Sequence, residues 1–442
     1  MHKQTEPAAK TVALLSVGCR TNQEEIVSLS FTLAGEGYRI VDNAAQADIV
    51  IVNTCSVTGA TEAKTRRMLN QLKREAPNAA VCLTGCLAQQ KADELYREHA
   101  VTWVVGNALK HTIPALVRDT PGGVFCSSLN DTEKIPLPLI ESPVQFDISR
   151  RTRFSVKIQE GCNFRCAYCI VPFLRGPSRS VVPEDILRIC TAALDAGFKE
   201  LILTGTHIGQ YRSTSTSFFG LINAILELPG NFRVRLSSLD PRDLSDELIA
   251  LTATHPKMCR SLHVSVQSLS PDVLCAMNRP AHTLAPCMSM LAAFRAVVPD
   301  GGIGGDFIVG FPGETEEQFE QTCAAVEAVG FSYGHVFRYS KRPNTAAHTM
   351  PGQVDEYEKT RRSERLRTVL ANTREQFITR CIDFPQTILV EKEHPVSGLS
   401  SNYLRIDVPD CAAPHNSLLT VRLTGEMSDG GRCIGIVSQP LV

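Results

Sequence analysis

The stretch "QEGCNFRCAYCIVPFLRGPSRS", residues 159–180, sets Cys162, Cys166 and Cys169 at the spacing C-x3-C-x2-C and follows them with Arg175 and Arg179. With sixteen cysteines in 442 residues, chance would place this spacing somewhere in the chain roughly 2% of the time. The cluster therefore needs a chemical reason. A structural zinc site wants four closed ligands, and neither a fourth cysteine nor a histidine follows at zinc-finger spacing. Iron–sulfur cubes take one thiolate per iron, so three cysteines on a four-iron cube leave one iron open to a ligand that is not protein.

Outward from this motif, strand patterns at 154–158, 201–205, 233–238, 261–266, 304–310 and 331–339 alternate with helical patterns such as 183–197 and 314–330. Six strand-then-helix units fit a partial (β/α)6 barrel, with the cysteines just after its first strand, where such barrels place their chemistry. Upstream, residues 11–118 alternate short apolar strands (11–17, 47–52, 80–83, 101–105) with amphipathic helices near 22–35, 62–75 and 89–99. That alternation predicts an open α/β domain with a parallel sheet. No G-x-G-x-x-G opens its helices, so dinucleotide binding is not indicated. Residues 119–148 are rich in Pro, Gly and Ser and read as a linker to a second domain, 149–379. After a basic helix near 356–378, strands without helices (387–391, 403–408, 418–424, 433–437) predict a small β-barrel over 380–442.

Composition is ordinary for a globular protein, 43% hydrophobic and 21% charged. The polar start and the short apolar run 12–17 show neither an export signal nor a membrane span, so a soluble cytoplasmic protein with reduced thiols is expected. The net charge of -1 conceals local surpluses: seven Arg/Lys against Glu160 over 149–182, and ten basic against five acidic residues over 338–380. Both suit a polyanionic partner. The last domain runs the other way, with four basic and seven acidic residues over 382–442, so the basic helix before it is the better phosphate contact.

Cys19, Cys55 and Cys86 each stand at the carboxyl end of a predicted strand, and a parallel sheet gathers those ends at one edge. Cys82 falls mid-strand and reads as core; Cys126, Cys190, Cys259, Cys275, Cys287, Cys323, Cys381, Cys411 and Cys433 lack partner spacing and read as buried free thiols. His207 and His335 read as structural histidines.

The C-x3-C-x2-C motif, with Tyr168 before its third cysteine, resembles that of the radical S-adenosylmethionine (SAM) enzymes. The segments GCRTNQEE, VNTCSVT and LTGC resemble the amino-terminal domain of the methylthiotransferases within that superfamily. The likeness covers nearly the whole chain, its end being similar to the TRAM RNA-binding barrel. It implies that Cys162, Cys166 and Cys169 hold a 4Fe-4S cluster whose open iron chelates SAM, and that Cys19, Cys55 and Cys86 hold a second 4Fe-4S cluster. One SAM would methylate a sulfur on the second cluster; another, cleaved at the first, would give a 5′-deoxyadenosyl radical that removes hydrogen from the target carbon. By the same resemblance Tyr168, Gly205, Thr206, Ser265, Gln267, Ile308 and Gly310 would line SAM. The partners implied are tRNA, an electron donor such as flavodoxin or ferredoxin, and a sulfur source.

The stretches LTGTHIGQY (203–211), GGDFIVGFPGET (304–315) and FRYSKRPNTAA (337–347) look most like the branch that acts on N6-threonylcarbamoyladenosine at tRNA position 37. Lys341 and Arg342 would meet the threonyl carboxylate there, whereas an isopentenyl group would want an apolar pocket. The sequence departs from the family pattern at Asn344, Ala346 and 212–217 (RSTSTS). Alternatives are methylthiolation of isopentenyladenosine or of a ribosomal-protein aspartate, a radical SAM reaction needing one cluster, and a non-catalytic iron–sulfur RNA-binding sensor.

Overall fold

Apolar runs buried on both faces build the first sheet. Its strands are Thr11–Ser16 (β1), Arg39–Val41 (β2), Ile49–Thr54 (β3), Ala80–Gly85 (β4), Trp103–Val105 (β5) and Gly123–Phe125 (β6), all parallel in the order β2-β1-β3-β4-β5-β6. Every residue of β3 is buried, as a strand covered by helices on both sides requires. On one face Val12, Ile49 and Ile51 pack with Ile26, Leu29 and Leu33 of helix Arg20–Gly35 (α1); on the other Val50 and Val52 pack with Leu69 and Leu72 of helix Gly59–Glu75 (α2). Thr58 and Thr61 form a capping box that starts α2.

The computed structural model describes residues 9–99, 101–129, 152–428 and 431–438. Most of the expected linker, with Arg150 and Arg151, lies outside the described residues, as does Asp429. Two strands of this sheet escaped the sequence reading, as did Arg179–Ser180 and Val396–Ser400 further along the chain. β2 is a short exposed edge, and β6 falls inside the stretch read as linker, where Pro121, Gly122 and Gly123 leave no periodicity.

The second sheet system begins with Arg153–Glu160 (β7), followed by the two-residue antiparallel strand Arg179–Ser180 (β8), Glu200–Gly205 (β9), Arg233–Leu236 (β10), Ser261–Gln267 (β11), Gly302–Val309 (β12) and Tyr333–Arg338 (β13). β8 aside, these are the six parallel strands expected, in chain order round an incomplete barrel. Between β10 and β11 the ladder thins to single bridges, Val234 with Met258 and Leu239 with Val264. The largest apolar core of the described residues fills the space between these strands and their helices. Helix Glu316–Val329 shows how locally the units are written: Thr315 caps its start with Gln318, and Gly330 ends it at φ +68°.

The strands Gln386–Glu393 (β14), Val396–Ser400 (β15), Arg405–Val408 (β16), Leu418–Met427 (β17) and Cys433–Val437 (β18) close into a barrel in the order β14-β15-β16-β18-β17. It is docked onto the incomplete barrel by two buried arginines. Arg233 donates to the carbonyls of Thr387 (2.9 Å) and Leu399 (2.8 Å), Arg235 to those of Ser400 (2.9 Å) and Ser401 (3.1 Å), and both pair with the buried Glu200.

Candidate active site

Backbone hydrogen bonds shape the loop after β7. Gly161 sits at φ +76°, and a Cβ there would lie 2.0 Å from the Pro177 carbonyl, so the turn admits glycine alone. Cys162 N donates to Gly176 O (3.1 Å), Ala167 N to Met277 O (2.8 Å), Cys169 N to Cys166 O (3.0 Å), and Asn278 donates to Arg165 O (2.7 Å). Buried Gln159 ties the loop down, donating to Gly161 O and Ser178 Oγ and accepting from His207 N. Cys162, Cys166 and Cys169 are all half-buried. Burial, with the neighbouring Cys166 and Cys162, pushes the Cys169 thiol up to about 12. A Cys169 thiol this hard to ionise by itself suits a positive metal centre that would stabilise its thiolate.

His207 bridges Asp243 (Nε2 to Oδ2, 2.9 Å) and Cys162. Burial lowers its pKa, but the hydrogen bonds to Asp243 and Cys162 prevail and raise it to about 9. Phe164 stands 5.1 Å from the His207 ring, with the Arg242 guanidinium 3.4 Å above its centre.

The second thiol set sits where the parallel sheet predicted. Cys19 caps α1, Cys55 follows β3 directly, and Cys86 follows β4. Gly18, at φ +111°, passes so close that a Cβ would lie 2.2 Å from Cys55 Cβ. The Cys19 and Cys55 thiols hydrogen-bond; that bond, aided by Arg175 against the effect of burial, lowers Cys19 to about 6, and the same bond with burial raises Cys55. Cys86 is near enough to raise Cys55 further.

The two sets share an interface. Cys86 packs among Ile170 and Leu174, from the turn just beyond Cys169, and Asn107 donates to both Leu174 O (2.7 Å) and Cys86 Sγ (3.8 Å). Beside them Arg175, 3% exposed, pairs with Glu25 (2.7 Å) and Glu160 (2.8 Å) and donates to Asn22 Oδ1 (2.8 Å). Lys157 pairs with both carboxylates, and Lys110 with Glu25. Arg175 and Lys157 therefore belong to an internal network and not to a surface surplus, which corrects the basic patch inferred over 149–182. Asn22, Glu25, Asn107 and Gln159 escaped the sequence reading; Asn22 and Glu25 lie in the quoted GCRTNQEE, one and two helical turns beyond Cys19.

The expected SAM-lining residues gather at the strand ends. Gly205 presses on Gln159, Thr206 Oγ1 accepts from Gly161 N, and Ser265 donates to Asp306 (2.8 Å). Gln267 lies at φ +66° beyond a register shift, Tyr168 and Ile308 pack on one small cluster, and Gly310, at φ +70°, donates to Glu314. Arg342 is buried and pairs with Glu62 of α2 (3.3 Å), although its Nε finds no acceptor among the described residues. Lys341 is exposed on a cleft of about 770 Å³ lined also by Thr58, Phe337 and Arg338. Of the remaining cysteines, Cys82, Cys190, Cys259, Cys287, Cys323, Cys381 and Cys433 are buried as expected, while Cys126 and Cys275 are exposed and Cys411 is half-buried.

Comparison with known proteins gives this geometry its context. Residues 156–326 match the Radical SAM superfamily, and residues 11–106 match the family described as Uncharacterized protein family UPF0004. The threonylcarbamoyladenosine tRNA methylthiotransferase MtaB of Thermotoga maritima is 33% identical over 402 residues, 89% of each chain. The chain belongs to the radical SAM tRNA methylthiotransferase family. Its relatives include the Bacillus subtilis enzyme of the same name, 32% identical over 90% of each chain, and the tRNA-2-methylthio-N(6)-dimethylallyladenosine synthase of Bartonella bacilliformis, 31% identical over 97% of each. Among solved structures, the radical SAM methyltransferase TsrM of Kitasatospora setae shares the fold (TM-score 0.55, 15% identity, 77% of each chain). This methylthiotransferase is thus a transferase acting on tRNA, with SAM and a 4Fe-4S cluster implied by its family. No helix of the described residues is long and apolar enough to cross a membrane.

Proposed function

We propose that this methylthiotransferase adds a methylthio group to carbon 2 of N6-threonylcarbamoyladenosine at tRNA position 37. The observation that carries the reading is the packing of Cys86 on Ile170 and Leu174, which puts the two thiol sets on either side of one interface. A sulfur donor and a hydrogen-abstracting centre must reach the same carbon, and such proximity serves that requirement. In this reading Cys162, Cys166 and Cys169 hold the cluster that splits SAM, and Cys19, Cys55 and Cys86 hold a second 4Fe-4S cluster that carries the sulfur. The protein's own part is to hold the two loops in register through Asn107, Arg175 and Glu25 and to keep the turn at Gly161 fixed.

Lys341 supports the threonylcarbamoyl substrate. It is the exposed cation of its cleft loop and, among the described residues, makes no ion pair, so it is available to a substrate carboxylate. Arg342 stands behind it with its guanidinium occupied by Glu62 and the Nε donor to spare. Phe337, 45% exposed on the same cleft, favours the second reading, in which the substrate bears an isopentenyl group.

Mass spectrometry of tRNA nucleosides from cells lacking the protein decides between them. Loss of the 2-methylthio form of N6-threonylcarbamoyladenosine, with its precursor accumulating, is the expected result. Loss of 2-methylthio-isopentenyladenosine instead would install the second reading. An electron donor of the flavodoxin or ferredoxin class and a sulfur source complete the proposed reaction.

A further inference from the structure

Three adjacent parallel strands bring two imidazoles and a carboxylate together inside the incomplete barrel. His263 on β11, Asp306 on β12 and His335 on β13 each offer a ligand atom, and these atoms lie within 4.8 Å of one another. Among the described residues this is the group of three such atoms at single-ion spacing. We propose that His263, Asp306 and His335 form a binding site for one divalent transition-metal ion, of the zinc class, in the lumen of the barrel.

The atoms that do not face the centre are held from behind. His263 Nε2 is 3.1 Å from Asp306 Oδ1, while its Nδ1 lies 3.2 Å from the Tyr333 hydroxyl, which fixes the ring's rotation. Asp306 turns its other oxygen, Oδ2, to the Ser265 hydroxyl at 2.8 Å. Metal-ligating histidines and carboxylates are commonly oriented in this way by a hydrogen bond on the atom away from the ion. Tyr333 is in turn stacked on Tyr403 of the closed barrel, 4.4 Å between ring centres and 14° between planes. Asp306 and His335 are direct register partners, so the separation of their backbones is fixed by the sheet. An ion pair alone would need one histidine; the second imidazole, 5.5 Å ring to ring from the first, completes a ligand set.

Two imidazoles and one carboxylate suit zinc and its neighbours, whereas magnesium and calcium prefer oxygen donors. Three protein ligands leave a coordination position open. His335 borders a cavity of about 680 Å³, in whose wall Arg153 and Arg405 pair with Glu391, so water can reach the open position. The site uses none of the cysteines and adjoins the expected SAM pocket through Ser265, with His263 four residues before the strand end at Gln267, roughly 13 Å down the barrel at strand rise.

Cobalt(II) tests this, because its spectrum separates nitrogen–oxygen ligation from thiolate ligation. The full chain is reconstituted anaerobically with iron and sulfide to occupy the thiols, then titrated with cobalt(II) alone. The expected result is one ion per chain with weak ligand-field bands and no thiolate charge-transfer band, displaced by zinc. Affinity should fall at least tenfold in His335→Ala, whose side chain is exposed and expendable to the fold, and in His263→Gln. Absence of stoichiometric binding, binding with thiolate bands only, or wild-type affinity in both variants would overturn the site and leave a hydrogen-bonded His–Asp pair.

Discussion

Arg175 Nη1 lies 2.7 Å from Glu25 Oε1 across the boundary between the first sheet domain and the incomplete barrel, each residue being a few positions beyond a cysteine of its own set. The pair is buried and has Asn22, Glu160, Lys157 and Lys110 around it. Removing one member of such a pair leaves a poorly compensated charge and costs about 3–5 kcal/mol. Arg175→Met should therefore destabilise the chain by that order in denaturant unfolding, and Glu25→Gln in the same chain should restore part of the loss. An unchanged midpoint in the single variant would show that the network does not hold the domains together.

Glu200 predicts an acid limb. Burial would raise its pKa, but Arg233 and Arg235 overcome that and lower it from 4.5 to about 2. Because the folded value is depressed, the stabilisation is fully present above the unfolded value and disappears as pH falls from 4.5 towards about 2. A shift of this size is worth about 3 kcal/mol. Unfolding free energies of wild type and Glu200→Gln should converge as pH drops through that window; parallel curves would refute the linkage.

The cysteine sets should separate by function. Replacing Cys162, Cys166 or Cys169 by Ala should abolish 5′-deoxyadenosine formation and leave about half the iron. Replacing Cys19, Cys55 or Cys86 should also halve the iron, yet spare SAM cleavage while stopping methylthio transfer. Formation of 5′-deoxyadenosine in any of the first three variants would sink the assignment.

Lys341 and Arg342 should part company. Lys341→Ala should cut kcat/KM on threonylcarbamoyl-modified tRNA about tenfold, the loss of one charge-assisted contact, with SAM cleavage in the absence of tRNA unchanged. Arg342→Ala removes one of three cations around Glu62, leaving Lys91 and Arg66, and should lower stability by about 1 kcal/mol. Undiminished activity of Lys341→Ala would move the isopentenyl substrate forward.

The architecture was legible where a strand or helix is long enough to show its period. Six barrel strands, the closed last barrel and the convergence of Cys19 and Cys55 all followed from such patterns. Three-residue strands such as Gly123–Phe125 have no period to read. Charge was less legible than pattern, because a sequence counts Arg175 and Lys157 as basic without saying that Glu25, distant in the chain, neutralises them. The His263, Asp306 and His335 group was hidden for the same reason: each residue is unremarkable alone, and only strand order makes them neighbours. Arg342 drew attention for its chemistry, yet its neighbour Glu62 on α2 had no sequence mark.

The seating of the last barrel on Arg233 and Arg235 turns two bodies into a ruler. Four carbonyls gripped by two guanidinium forks brace that seam. An RNA spanning both bodies would find the distance from grip to reaction chamber already set, and the nucleotide delivered would be chosen by length before any base was read. Loosening the seam with Arg233→Leu and Arg235→Leu, together with Glu200→Gln so that no buried carboxylate is left unpaired, should then spread modification to neighbouring adenosines. Product confined to a single nucleotide would show that the choice is made elsewhere.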